Sequence, residues 1–262
     1  MSRSFLILCS AIFAVSGGWS QSALAEKRAV GTARPAGVAA PVEFRACNFN
    51  EGKTMADLDQ VNAKFRNYAN KNDFAYAAWT LVPQYHTGSG FDVGWLGAWP
   101  DGEAFGVSME RWMSTTAGRA LAAEFAEVWD CSDHHEMSMS FPINAADSTP
   151  QDGVMLVYEC SLGDGKTLDQ AYAAHLEWGT AKKGMGFLDN SWMFQPTIGV
   201  RELDYDYYHV VVFYRYPDLG AAFETYANGG GMQKRAKIYG DTMDCGAPFI
   251  YDFLSVRARD ER

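Results

Sequence analysis

The chain has 262 residues, 48% hydrophobic and 14% aromatic, with a formal net charge of −10. That hydrophobic fraction excludes wholesale disorder, and the length suits one large domain or two smaller ones. An acidic chain lacks the basic field that holds nucleic acid or an anionic membrane surface, so neither is expected as the main partner.

The chain opens as a targeting segment. One positive charge, Arg3, precedes the apolar run from Phe5 to Val15, and small residues lead to Ala23-Leu24-Ala25. This reads as a signal peptide over 1–25, cut after Ala25, and predicts a periplasmic or secreted protein. The run is too short for a bilayer and no later stretch is long and uncharged enough, so no membrane span is expected. Residues 26–41, rich in Ala, Gly and Pro and without periodicity, read as a flexible linker.

From there one unit is written twice. Cys47 and the Gly52-Lys53-Thr54 that follows it return 113 residues later as Cys160 and Gly165-Lys166-Thr167, and the same offset takes Trp79 to Trp192 and Pro83 to Pro196. Trp129-Asp130-Cys131 returns as Met243-Asp244-Cys245. The matches keep their order across both halves, which sets the repeats at 42–143 and 154–262, joined by a polar linker over 144–153.

Each half reads as strand, helix, strand, strand, helix, strand. In the first, alternation marks strands over 42–49, 75–85, 93–99 and 136–141. Helical spacing marks 55–68, and a longer helix over 104–128 breaks near Thr115. In the second, strands are expected over 155–162, 191–198, 207–216 and 249–256, and helices over 168–183 and 221–238. Val210 to Phe213 is apolar at consecutive positions, so both faces of that strand should be covered.

This βαββαβ order, present twice, resembles the dimeric α+β-barrel superfamily, which includes antibiotic-biosynthesis monooxygenase-like, EthD-like and NIPSNAP-like proteins. The resemblance implies an α+β fold in which two tandem ferredoxin-like units form an intrachain barrel. Two sheets would pack face to face, with helices outside and a pocket between helices and sheet in each half. The first and last strands of such a unit are antiparallel neighbours, so the symmetry and an oxidising compartment favour Cys47–Cys131 and Cys160–Cys245 as disulfides. Without C-x-x-C spacing, the four cysteines are not expected to hold a metal.

Gly-Lys-Thr looks like the end of a phosphate loop, but Cys47 and Cys160 stand where that loop needs its first glycine. Thr54 and Thr167 read instead as helix N-caps, with Asp57 and Gln170 three residues on. His134 and His135 are adjacent on a strand edge, so they point apart and cannot easily grip one ion; a solvent junction is expected.

The ligand-binding candidates are His175, Trp178, Trp192, His209, Asn62 and Trp79. His175 falls inside the stripe of its helix that faces the sheet, where a polar group needs a partner or a ligand. Its counterpart in the first copy is Asn62, and His209 aligns roughly with Asp92, so two imidazoles belong to the second copy alone. Trp79 and Trp192 hold the same place in both halves and serve as core or as a stacking surface. These features predict a better pocket in the second half.

No Ser-His-Asp or metalloprotease pattern assigns catalytic residues. The expected function is binding of a small apolar or aromatic molecule, without a cofactor. A barrel-superfamily enzyme is the alternative, either a cofactor-independent monooxygenase or a haem-dependent oxidoreductase. Chlorite dismutase-like members carry an axial histidine on a helix of the second unit, and the resemblance would give that place to His175. A structural or interaction module is the third reading.

Overall fold

Strand alternation sorts the side chains of this protein into two environments. In the computed structural model, which describes residues 39–88, 90–145, 151–200 and 203–258, the first unit comprises β1 (Ala40–Phe49), α1 (Met55–Lys71), β2 (Ala77–Tyr85), β3 (Val93–Ala98), α2 (Gly102–Ser114), α3 (Thr116–Val128) and β4 (Trp129–Asn144). The second comprises β5 (Gly153–Leu162), α4 (Leu168–Gly184), β6 (Asn190–Ile198), β7 (Tyr207–Phe213), α5 (Tyr216–Asn228), α6 (Gly231–Tyr239), β8 (Met243–Cys245) and β9 (Phe249–Arg257). The signal-peptide reading and all but the end of the 26–41 linker lie outside the described residues, as do 146–150 of the inter-unit linker.

All strand pairings are antiparallel. They run β7-β6-β4-β1-β3-β2-β9-β5, and β5 pairs back to β7, closing an eight-stranded barrel with β8 attached to β5. The units are therefore joined by hydrogen bonds and not by facial packing alone, as two stacked sheets would be. β4 pairs with β6 (Met139 opposite Gln195) and β2 with β9 (Leu81 opposite Phe253), so each unit's edge is covered by the other.

On β1, Val42, Phe44 and Ala46 face the barrel interior, while Glu43, Arg45 and Cys47 face the helices. On β7, Val210 and Val212 join the interior cluster, and Val211 and Phe213 pack under the second unit's helices. The consecutive apolar run is thus covered on both faces, as the sequence suggests.

The helix starts follow the capping chemistry. Thr167 Oγ1 accepts from the Gln170 amide at 3.3 Å while Gln170 Oε1 accepts from the Thr167 amide at 2.9 Å, and Asp57 accepts from the Thr54 amide at 2.9 Å. Lys166 is tied to Asp241 at 2.9 Å. The break at Thr115 is present, with its hydroxyl accepting from the Gly118 amide at 3.0 Å.

Several expectations change, among them the 207–216 strand, which ends at Phe213 so that Tyr216 opens α5 instead. The 221–238 helix is two helices, because Gly230 sits at φ 83°, a left-handed conformation that ends one helix before the next begins. The last strand of the first unit starts at Trp129, seven residues earlier than alternation suggests, with a register shift opposite Cys47. In the second unit the same path is split into β8 and β9 by Gly246-Ala247-Pro248, whose proline has no N–H for the ladder.

Both disulfides form as expected, Cys47–Cys131 and Cys160–Cys245, and Cys160 stands directly opposite Cys245 in register. Among the described residues no helix is long and apolar enough to cross a membrane.

Candidate functional site

Hollows among the described residues include one under the helices of each unit and one inside the barrel. Under the first unit's helices lies a cavity of about 250 Å³. Its floor is the outer face of β1, β3 and β4, and its roof is α1, α2 and α3. Eight aromatic rings line it, largely in edge-to-face contact: Phe65 lies 5.5 Å from Trp95 and 6.1 Å from Trp112, and Trp95 lies 5.9 Å from Trp129.

One end of this cavity is polar. Glu43 Oε1 accepts from the Tyr76 hydroxyl at 2.6 Å, and Oε2 meets Arg45 Nη2 at 2.8 Å and His135 Nε2 at 2.9 Å. Trp95 Nε1 donates to the Tyr76 hydroxyl at 2.6 Å. Burial alone would raise the Glu43 carboxyl, but Arg45 and the hydrogen bonds from His135 and Tyr76 outweigh it and hold the group at about 2. Burial and the Glu43 charge push the Tyr76 hydroxyl well above its ordinary value. Trp99 stacks obliquely on Tyr76 at 4.5 Å, and its buried Nε1 has no hydrogen-bond partner.

The second unit's corresponding space is nearly filled. Its cavity is about 80 Å³, and Trp178, His209, Lys182 and Arg235 are among the residues that line it. His175, Trp178 and His209 do lie together on this side. His175 is fully buried, its ring 4.3 Å from that of His209, and each ring nitrogen is 3.0 Å from a tyrosine hydroxyl: Nε2 from Tyr207, Nδ1 from Tyr239. Burial, reinforced by Lys182 and Arg235, lowers the His175 imidazole to about 3, so it is neutral. His209 is held neutral the same way, and its Nε2 has no hydrogen bond. Lys182 is paired with Asp189.

The remaining candidates are elsewhere. Trp79 and Trp192 pack in the barrel interior, on the other face of the sheet from His175, and Trp79 stacks on Phe253 at 5.0 Å. Asn62 is buried on α1 with its Oδ1 unpaired. The Asp92–His209 alignment is displaced. Asp92 accepts from the Phe49 amide at 2.9 Å and Asp206 from the Leu162 amide at 2.7 Å, so these aspartates correspond. The counterpart of His209 is Trp95, since Trp95 stands opposite Arg45 as His209 stands opposite Tyr158. His134 and His135 do point to opposite faces, but neither is a mere solvent junction: His135 bonds Glu43, and His134 lines the barrel cavity.

The His175 region does not fit haem. Both ring nitrogens are engaged with tyrosines, His175 does not line the adjacent cavity, and about 80 Å³ is smaller even than the roughly 150 Å³ that holds benzene, let alone a porphyrin. Cys160, Cys245 and His175 bring ligand atoms within 4.8 Å of one another, but the sulfurs are spent on their disulfide and offer no thiolate.

The fold is that of the dimeric α+β barrel, with both ferredoxin-like units in one chain. Similar solved structures include proteins assigned as monooxygenases from Lactobacillus acidophilus NCFM (TM-score 0.52, 7% identity, covering 84% of this chain and 95% of that one) and Fusobacterium nucleatum (0.52, 8%, 84% and 94%). A chlorite dismutase variant from Candidatus Nitrospira defluvii is also similar (0.48, 9%, 83% and 92%). At these identities the likeness concerns the fold. No protein-family model and no curated protein matches the sequence.

The Glu43 network escapes the sequence reading, although a signal existed. Glu43 and Arg45 alternate with Phe44 on the same face as the disulfide cysteine Cys47, and two charges on a buried strand face require partners.

Proposed function

We propose that the protein is exported and binds a small aromatic molecule in the helix–sheet cavity of its first unit. The observation that carries this reading is the aromatic cavity with a preorganised polar end. A void of about 150 Å³ lined by apolar side chains suffices for benzene, so about 250 Å³ suits one or two fused rings. The buried Trp99 Nε1 is a donor awaiting an acceptor, which favours a ring bearing a hydroxyl or carbonyl oxygen.

Binding is favoured over proton-transfer chemistry. A general acid or base works best with a pKa near the operating pH, whereas Glu43 is held at about 2 and Tyr76 is pushed upward. The names of the similar monooxygenase structures suggest an oxygenase as the second reading; the aromatic cavity would then hold its substrate. Export rests on the A-x-A leader and on two disulfides, which persist in oxidising compartments. N-terminal sequencing of exported protein is expected to begin at Glu26.

The test is calorimetric titration with 2-naphthol. Saturable binding is expected, and Ala122→Trp, which fills the cavity from α3, should abolish it. Unchanged binding in that variant would place the ligand elsewhere and end this reading.

A further inference from the structure

We propose that the barrel interior is a second binding site, and that it takes a hydrophobic ammonium: a small organic cation with an apolar or aromatic body. The cavity measures about 390 Å³ and is walled by strands of both units. Its mouth lies at the exposed Thr87, Gly88 and Gly90 after β2.

The acid that would meet the cation is Glu136 on β4. It is 3% exposed and lines the cavity. Its Oε2 pairs with His134 Nε2 at 3.3 Å without an aligned hydrogen bond, and its charge also acts on the Tyr208 hydroxyl. The contrast with Glu43 is instructive, since that carboxylate is saturated by Arg45, His135 and Tyr76. A buried carboxylate on a cavity wall, with one oxygen lacking an aligned hydrogen bond, has room for a further donor, and a cationic donor recovers most of its desolvation cost.

The surroundings select charge and shape. Two more acids, Asp133 and Glu159, stand exposed at the rim, and no lysine or arginine is among the described residues lining the cavity. Its basic side chains are two imidazoles: His134, raised by its contact with the Glu136 carboxylate, and His86, lowered by burial. An anion entering would meet acids first, whereas the acidic rim draws a cation inward. The walls then offer aromatic faces from Phe44, Phe194, Phe249, Tyr208 and Tyr251, the surface a desolvated ammonium prefers.

The duplication makes the site single. Phe44 stands opposite Glu136, and its counterpart Val157 stands opposite Phe249, so the place held by the carboxylate in one copy is held by a phenyl ring in the other. The barrel interior thus holds one buried carboxylate, on the first copy's side, among aromatic walls, which suits a monocation with a single apolar body.

Calorimetric titration with 2-phenylethylamine, 2-phenylethanol and phenylacetate tests the proposal. The amine should bind about ten-fold or more tightly than the alcohol or the acid. Glu136→Gln should erase that preference. Should Glu136→Gln fail to fold, Val157→Phe, which fills the cavity from β5, should abolish amine binding. Equal or tighter binding of the alcohol or phenylacetate by the unaltered protein overturns the proposal. So does an amine preference that survives Glu136→Gln, or amine binding that survives Val157→Phe.

Discussion

Trp95 and His209 occupy the same place in the two copies, one on β3 and the other on β7. The first donates from its indole into the Glu43–Tyr76 network; the second is a neutral imidazole against His175. Duplication preserved the position and changed its chemistry, so the two helix–sheet spaces respond differently to pH.

His175 and His209 are neutral when folded and titrate near 6.5 when unfolded. The unfolded chain therefore binds more protons below that value, and stability falls as pH drops. Between pH 6.5 and 4.5 His175, held at about 3, should contribute a slope of up to about 1.4 kcal/mol per pH unit, and His209 acts in the same direction. Urea unfolding of the protein and of His175→Gln across this range is expected to show a shallower slope in the variant.

Glu43 acts in a lower window. Its folded value of about 2 lies below the ordinary 4.5, so its stabilising contribution is complete above 4.5 and is lost as pH falls toward 2. The loss amounts to about 3 kcal/mol. Glu43→Gln should be destabilised by a similar amount at neutral pH and should lack this acid-induced loss; an unchanged acid profile would mean the network does not hold the charge.

The disulfides span 84 and 85 residues, so their effects on the unfolded chain should be nearly equal. Replacing either pair with alanines should cost about 4 kcal/mol in equilibrium unfolding. A large inequality would locate the difference in the folded units, one hollow and the other filled.

Gly97 marks a close approach. A Cβ there would fall 1.9 Å from the Tyr76 hydroxyl oxygen, which is fixed by Glu43 and Trp95. Gly97→Ala should destabilise by about 1–3 kcal/mol and weaken 2-naphthol binding together, because the same ring moves in both.

Much of the architecture was legible because it was written twice. Matching offsets at Cys47/Cys160 and Trp79/Trp192 exposed the repeat, and the repeat exposed the unit and its disulfides. Barrel closure was harder to read, since β4–β6 and β2–β9 pair residues from different copies and leave no local periodicity. The site was least legible. His175 stood out as a polar group on a buried stripe, yet Tyr207 and Tyr239, which occupy its nitrogens, are distant in sequence. Glu43 is likewise joined to Tyr76 and His135 only by folding, and the cavity beside it reflects how three helices splay over a sheet.

Two identical subunits meeting through β4–β6 and β2–β9 pairings would be bound by symmetry to carry identical hollows, and any substitution would appear in both at once. Within a single chain that constraint is gone. One half can close its space with His175, Trp178, Tyr207 and Tyr239 while the other keeps its space open, and the shared barrel can carry a buried carboxylate at Glu136 where the second copy has Phe249. Fusion therefore supplies a division of labour: one half is released to serve as a rigid support, and the other to change its contents without undermining the scaffold.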